Sequence, residues 1–429
     1  MKHQYYQQFN EHVYSKELAN GLLVYLIPKT DYNKTFVTFT TNYGSFDQSF
    51  IPIGKTRKVN QPAGIAHFLE HKLFAMPDKS DAFEKLSSFG VSPNAFTSFD
   101  KTSYLFSGTK NIKEALNYLL DFVQTPYFTA GSVKKEQGII AEELLMYQDY
   151  PNQRLMYGIF RNLYKNHPLN TEIIGTMESI HKITAHKLYQ AYHTFYHPSN
   201  MVLTVIGNFD HKEIISLIEE NQAKKGFEKV APIKRFLPKE PKAIVKPSEE
   251  ISMSVNMPYL GVGFKLTPAE NITKLYQQEL ALSILLKMYL SPTSDNYQNL
   301  LKKGLINQSF MFSPMQSVGA LALLVASMTE KPALLEQEIK RILVNLKRKT
   351  IDEAAFAREK KVMQGGFIRA LNSLENFNIS FMSTLPYGIT LFDIPQLIES
   401  LTIADLSALA SDIKAKNMTT FLINPEKAK

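Results

Sequence analysis

The chain has 429 residues, more than one ordinary hydrophobic core accommodates, and this favours two domains. Apolar residues make up 44% and charged residues 21%, the balance of a globular protein and not of a disordered or fibrous one. There are no cysteines, which excludes disulfides and thiolate metal ligation; the net charge of +8 is spread along the chain with no arginine-rich arm, which describes a solvated surface and argues against nucleic-acid binding.

The opening Met1 to Gln8 is polar and lacks the apolar stretch of a secretory signal. No apolar run approaches the roughly 20 residues that span a bilayer. These features lead us to expect a cytoplasmic protein without membrane contact.

In chain order, Asn20-Gly21 is a turn signal, and Leu18 to Pro28 reads as the first strand region. Thr35 to Thr41 is rich in β-branched and aromatic residues and reads as a second strand. Helices are predicted over Ile65 to Phe74 and Asp81 to Phe89, then strands over Ala95 to Ser98 and Ser103 to Ser107. Two longer helices follow, over Ile112 to Gln124 and Ser132 to Tyr147. Residues 226–250 carry Pro232, Pro238, Pro241 and Pro247 among lysines, which suits an extended, exposed linker.

Segments on the two sides of that linker resemble each other. Glu178-Ser179-Ile180 and Asn200-Met201-Val202 are matched by Glu399-Ser400-Leu401 and Asn417-Met418-Thr419. Phe83-Glu84-Lys85-Leu86 is matched by Tyr297-Gln298-Asn299-Leu300. The offsets all lie near about 220 residues, the mark of a duplicated unit. We therefore expect two homologous α+β halves: residues 1–225, a linker over 226–250, and residues 251–429.

The chemistry lies in Ala66-His67-Phe68-Leu69-Glu70-His71. On a helix, positions four apart share a face, so His67 and His71 can aim their imidazoles at one ion. Glu70 projects to the same side. Two histidines and a carboxylate make a nitrogen- and oxygen-rich site suited to zinc, and a catalytic zinc takes a further protein ligand while leaving a position open for water. The candidates for that ligand are Glu136 and Glu143, seven residues apart and so on one helix face. Periodicity does not choose between them. Glu142 lies about 100° away around the axis.

This HxxEH motif with a downstream E-x6-E pair resembles the pitrilysin/insulinase family of zinc metallopeptidases, the inverzincins. Leu18 to Pro28 resembles the family's first strand, Ser92 to Ser98 its substrate-facing edge strand, and Phe195 to Met201 the segment that closes its first repeat. The length is that of bacterial single-unit members, which often occur as pairs of related subunits. The resemblance implies two repeats, each an antiparallel sheet with helices on one face, and a dimeric clamshell. It implies one Zn2+ per chain held by His67, His71 and Glu143, with Glu70 as general base and Glu136 as the supporting catalytic glutamate. It places peptide substrate along Asn94, Ala95 and Phe96.

The implied activity is that of an endopeptidase acting on peptides or small unfolded polypeptides in an enclosed chamber, as a homodimer or as a heterodimer with a related subunit. The alternative is a non-catalytic scaffold or partner subunit. The second half carries no HxxEH, and Gly366 stands where a second Glu143 would be. Many family members grip substrate with an arginine and a tyrosine from the distal half. Val318 to Ser327, the comparable strand here, contains neither, so those contacts are expected from a partner chain or elsewhere.

Overall fold

The computed structural model describes residues 1–426. The chain opens with strands β1 (Lys2–Tyr6), β2 (Glu11–Glu17), β3 (Leu23–Pro28) and β4 (Thr35–Thr41), then a short pair, β5 (Ser49–Phe50) and β6 (Val59–Asn60). Helices α1 (Ile65–Leu73) and α2 (Ala82–Ser88) precede strands β7 (Ser92–Thr97) and β8 (Thr102–Gly108). Next come α3 (Ile112–Val123), α4 (Ala130–Gln148), α5 (Pro151–Leu163), α6 (Met177–His181), α7 (Ala185–Phe195), β9 (Met201–Gly207) and α8 (His211–Ala223). The later part holds β10 (Ser248–Met253), β11 (Tyr259–Leu266), α9 (Ile272–Leu290), α10 (Asp295–Lys302), β12 (Met311–Ser317), β13 (Ala320–Met328) and α11 (Pro332–Val344). It ends with α12 (Glu353–Ala370), α13 (Leu374–Thr384), α14 (Ile394–Ser400), α15 (Ile403–Asp412) and β14 (Met418–Pro425). Among these residues no helix is long and apolar enough to cross a membrane.

The chain divides into two compact units. One comprises residues 1–144 and 172–237, the other residues 145–171 and those from Pro238 onward. This differs from the contiguous division expected at 225. The reason is local: α5 packs on β11 of the second unit. Along β11, Leu260, Val262 and Phe264 join the buried core with α9 and α11. Gly261 and Gly263 alternate to the opposite face. A Cβ at Gly261 would lie 2.6 Å from Ile159, and one at Gly263 would lie 2.4 Å from it, so the two glycines make the groove that receives α5. Helices therefore cover both faces of this sheet, not one.

The first unit is built on a seven-stranded sheet, β1-β2-β3-β9-β4-β8-β7, and the second on a five-stranded sheet, β10-β14-β11-β13-β12. Neither is wholly antiparallel as expected. In each the returning last strand lies parallel to an early one, β9 to β3 and β14 to β10. A parallel pair needs a long crossover, which the intervening helices provide. The β1–β2 hairpin is an addition to the first sheet.

Stretch 226–250 has no helix but is anchored within the units. In the first unit, Arg235 Nε lies 2.7 Å from Asp47 and its NH2 group donates to Asn200 Oδ1. In the second, the buried Lys265 on β11 donates to Glu240 Oε1 at 2.6 Å and to the carbonyls of Pro241 and Ala243. Glu240 also accepts the backbone N–H groups of Lys165, Asn166 and His167.

Candidate metal centre

Helix α1 is buried along Ile65, Phe68, Leu69 and Leu73, which leaves His67 and His71 on the opposite flank. Its start is held by backbone contact. Gly64, the N-cap, has φ of +87°, and a Cβ there would lie 2.3 Å from the Ile174 carbonyl oxygen. Beyond its end, Phe74 packs against Tyr104 of β8 and Phe122 of α3, with ring centroids 5.8 Å apart in both pairs. The helix is thus fixed against the sheet face that carries β7 and β8.

His67 and His71 meet one turn apart, ring centroids 4.6 Å from each other. Glu143, on α4, comes to both: 3.8 Å from His67 Nε2 through Oε1 and 3.7 Å from His71 Nε2 through Oε2. One donor atom from each of the three lies within 4.8 Å of the others. Donors on a tetrahedral zinc, each about 2.0–2.1 Å from the ion, stand roughly 3.4 Å apart. The cluster therefore fits a small divalent ion with slight contraction.

Glu136, two turns earlier on α4, takes a different place. Its Oε1 lies 3.2 Å from His71 Nδ1, and its Oε2 accepts from Lys72 Nζ at 3.4 Å. With Nδ1 engaged by Glu136, His71 presents Nε2 toward Glu143. The Nδ1 atom of His67 is buried and has no hydrogen-bond partner among the described residues. Periodicity left Glu136 and Glu143 equivalent; the geometry separates them.

Glu70 is 8% exposed and accepts a hydrogen bond from Thr97 Oγ1 of β7. Burial raises its carboxyl above the usual 4.5, and the Thr97 hydroxyl holds that rise back. Burial, then the neighbouring His71, pushes His67 down to about 3, so its ring is neutral, the form in which an imidazole can bind a metal. Burial pulls His71 down as well, but the contact with Glu136 and the charge of Glu70 outweigh it and raise the group. Burial also opposes ionisation of Glu136, and His71 and Lys72 together overcome it and lower that carboxyl.

A cleft of 890 Å³ opens beside these groups, walled by Glu70, His71, Glu136, Phe83, Tyr127 and Ile139. Asn94 and Ala95 line it as well; Phe96 does not. Among the described residues, strand β7 is the last of its sheet and pairs only with β8. Ser98 N–H bonds to Lys101 across the hairpin, so by alternation Ala95 N–H points to the open edge. There it donates to the side chain of its own neighbour, Asn94 Oδ1, at 2.8 Å. Sequence reasoning missed Thr97 and Lys72. Lys72 left a signal, a charge in an apolar stripe; Thr97 left none beyond its place two residues after Ala95.

The family model described as insulinase (peptidase family M16) matches residues 50–177, which hold every side chain of this cluster. The peptidase M16 inactive-domain model matches residues 182–363. An uncharacterized zinc protease of Bacillus subtilis, YmfH, is 41% identical over 424 residues, 98% of each chain. The chain belongs to peptidase family M16. Within M16, an M16-like peptidase from Alicyclobacillus acidocaldarius has a crystal structure that matches with a TM-score of 0.91 and 35% identity, over 97% of this chain and 99% of that one. A protease from Helicobacter pylori shares the fold, with a TM-score of 0.80 at 23% identity over 96% and 99% of the two chains.

Proposed function

We propose that this M16 chain is a zinc-dependent endopeptidase that hydrolyses peptides or small unfolded polypeptides in an enclosed chamber. The observation that carries the reading is the convergence of His67, His71 and Glu143 beside a buried, hydrogen-bonded Glu70 on an open cleft. His67, His71 and Glu143 are the ligands of one Zn2+. Bound zinc supplies the positive charge that polarises a scissile carbonyl and makes water a ready proton donor.

The chain's own groups perform the rest. Glu70 takes a proton from the attacking water and later delivers it to the leaving amine. Glu136 orients His71 through Nδ1. Peptide adds as a strand along β7, where Ala95 N–H exchanges the Asn94 side chain for a substrate carbonyl. Backbone pairing of this kind selects extended chains over folded domains. The working form is a dimer, with itself or with a related subunit, and the partner supplies the substrate-gripping arginine and tyrosine that Val318 to Ser327 of this chain lacks.

The test is hydrolysis of quenched peptides of graded length by zinc-loaded protein, beside a chelator-treated sample and Glu70→Gln. Chelator-sensitive cleavage of extended peptides that is abolished in Glu70→Gln supports the reading. Zinc-loaded protein, alone or with a related subunit, that cleaves no peptide sinks it and brings forward the scaffold. Rapid cleavage of a stably folded domain contradicts the substrate class.

A further inference from the structure

Ile65, Phe68, Leu69, Lys72 and Leu73 follow the i, i+3, i+4, i+7, i+8 spacing of the buried stripe of α1. Four of them are apolar and 0–3% exposed; the fifth is a lysine, only 5% exposed. An ammonium in such a place is expensive to desolvate, and replacing a buried ion pair with apolar residues is often neutral or stabilising. Fold stability is therefore a poor reason for the charge. A methionine or leucine would fill the stripe without an ion to satisfy.

The geometry offers a better reason. Lys72 Nζ makes its ion pair with Glu136 Oε2, at 3.4 Å. The other oxygen of that carboxylate, Oε1, lies 3.2 Å from His71 Nδ1. Lys72 and His71 are adjacent on one helix, so a single carboxylate from α4 spans two neighbouring side chains. A carboxylate held at one oxygen loses its freedom to swing, and the second oxygen stays where the first places it. The far nitrogen of the same imidazole, His71 Nε2, stands 3.7 Å from Glu143 Oε2.

We propose that Lys72 is a positioning residue of the metal site: by clamping Glu136 it fixes the His71 ring and keeps Nε2 aimed at the ion. This rests on the reading above in which His71 and Glu143 are ligands. Lys72 touches neither metal nor substrate, and it acts through Glu136. A partner hydrogen-bonded to the ligand, as Glu136 is, shifts metal affinity when it is lost, and Lys72 acts one hydrogen bond further out by holding that partner.

The experiment measures Zn2+ affinity of the full-length chain by competition with a chromogenic chelator, alongside thermal unfolding of the metal-free protein. The variants are Lys72→Met, Lys72→Arg, Glu136→Gln and the Lys72→Met/Glu136→Gln pair. Lys72→Met weakens zinc about tenfold or more, and the metal-free Lys72→Met/Glu136→Gln pair, which strands no carboxylate, melts no lower than Glu136→Gln alone. Lys72→Arg recovers most of the affinity. The double variant binds zinc no more weakly than Glu136→Gln alone, because the lysine has nothing left to hold.

Zinc-binding wild type with unchanged affinity in Lys72→Met overturns this proposal alone, as do losses that add in the double variant. Wild type that binds no zinc overturns the parent reading with it. If Lys72→Met does not fold, Lys72→Gln in the Glu136→Gln background decides. Affinity equal to that of Glu136→Gln supports the clamp, and a further loss overturns it.

Discussion

Thr97 Oγ1 donates a hydrogen bond to Glu70 Oε2 at 2.6 Å, tying the proposed base on α1 to the edge strand on which substrate is proposed to lie. A hydrogen bond to a charged group contributes about 1.5–3 kcal/mol, equivalent to roughly 10- to 100-fold in rate if all of it is felt in the transition state. Thr97→Val is therefore expected to lower kcat about tenfold or more, with KM little changed and zinc content intact. Steady-state kinetics with metal analysis on the same preparation measure this. A fall in KM affinity with unchanged kcat places Thr97 in substrate binding instead.

The open edge of β7 can be probed through its backbone. Ala95 N–H points away from β8 and is satisfied by Asn94, so it contributes nothing to the ladder. Proline is tolerated on an edge strand where the missing donor faces outward. Ala95→Pro is expected to fold and to bind zinc as wild type does, yet to lose about tenfold in kcat/KM for extended peptides, the worth of one backbone hydrogen bond plus a blocked approach. Unimpaired cleavage places the substrate elsewhere.

Gly64 begins α1 at a φ of +87° and in contact with the Ile174 carbonyl. An alanine there meets both the strain of the left-handed region and a backbone oxygen that has little room to retreat. Gly64→Ala is expected to destabilise the chain by about 1–3 kcal/mol and to weaken zinc binding by displacing His67 and His71 together. Thermal unfolding and metal titration read the two effects separately.

The pair Lys265–Glu240 carries a stability prediction with a definite pH sign. Both side chains are less than a tenth exposed. Burial opposes ionisation of Glu240, but Lys265 and the N–H groups of Lys165, Asn166 and His167 prevail and lower its carboxyl below 4.5. A depressed carboxyl adds stability above its unfolded value, and that contribution is lost as pH falls through the folded value. Glu240→Gln is thus expected to melt below wild type at pH 7, with the gap closing as the solution is acidified below about pH 4.5. Lys265→Met, which strands the carboxylate, costs about 3–5 kcal/mol at neutral pH. Differential melting across pH tests both.

Much of the site could be read in the chain because it is local. The four-residue spacing of His67 and His71 places them on one flank, and strand β4 spans the Thr35 to Thr41 read from its β-branched run. Local periodicity could not say which of Glu136 and Glu143 approaches the imidazoles, since residues seven apart share a face. That choice depends on how α4 crosses α1, a non-local matter. The same limit explains α5. Its sequence is an ordinary amphipathic helix, and the glycines of β11, about 100 residues later, help to direct it to the second unit. Parallel pairing of β3 with β9 is likewise invisible in either strand alone.

Zinc-edge anomalous diffraction from crystals of zinc-loaded protein is the decisive measurement. One peak about 2 Å from His67 Nε2, His71 Nε2 and a Glu143 oxygen is expected, with Glu136 on His71 Nδ1 and off the ion. No peak at that place in zinc-loaded crystals, or an ion held by Glu136 instead of Glu143, contradicts the metal centre on which the proposed peptidase depends.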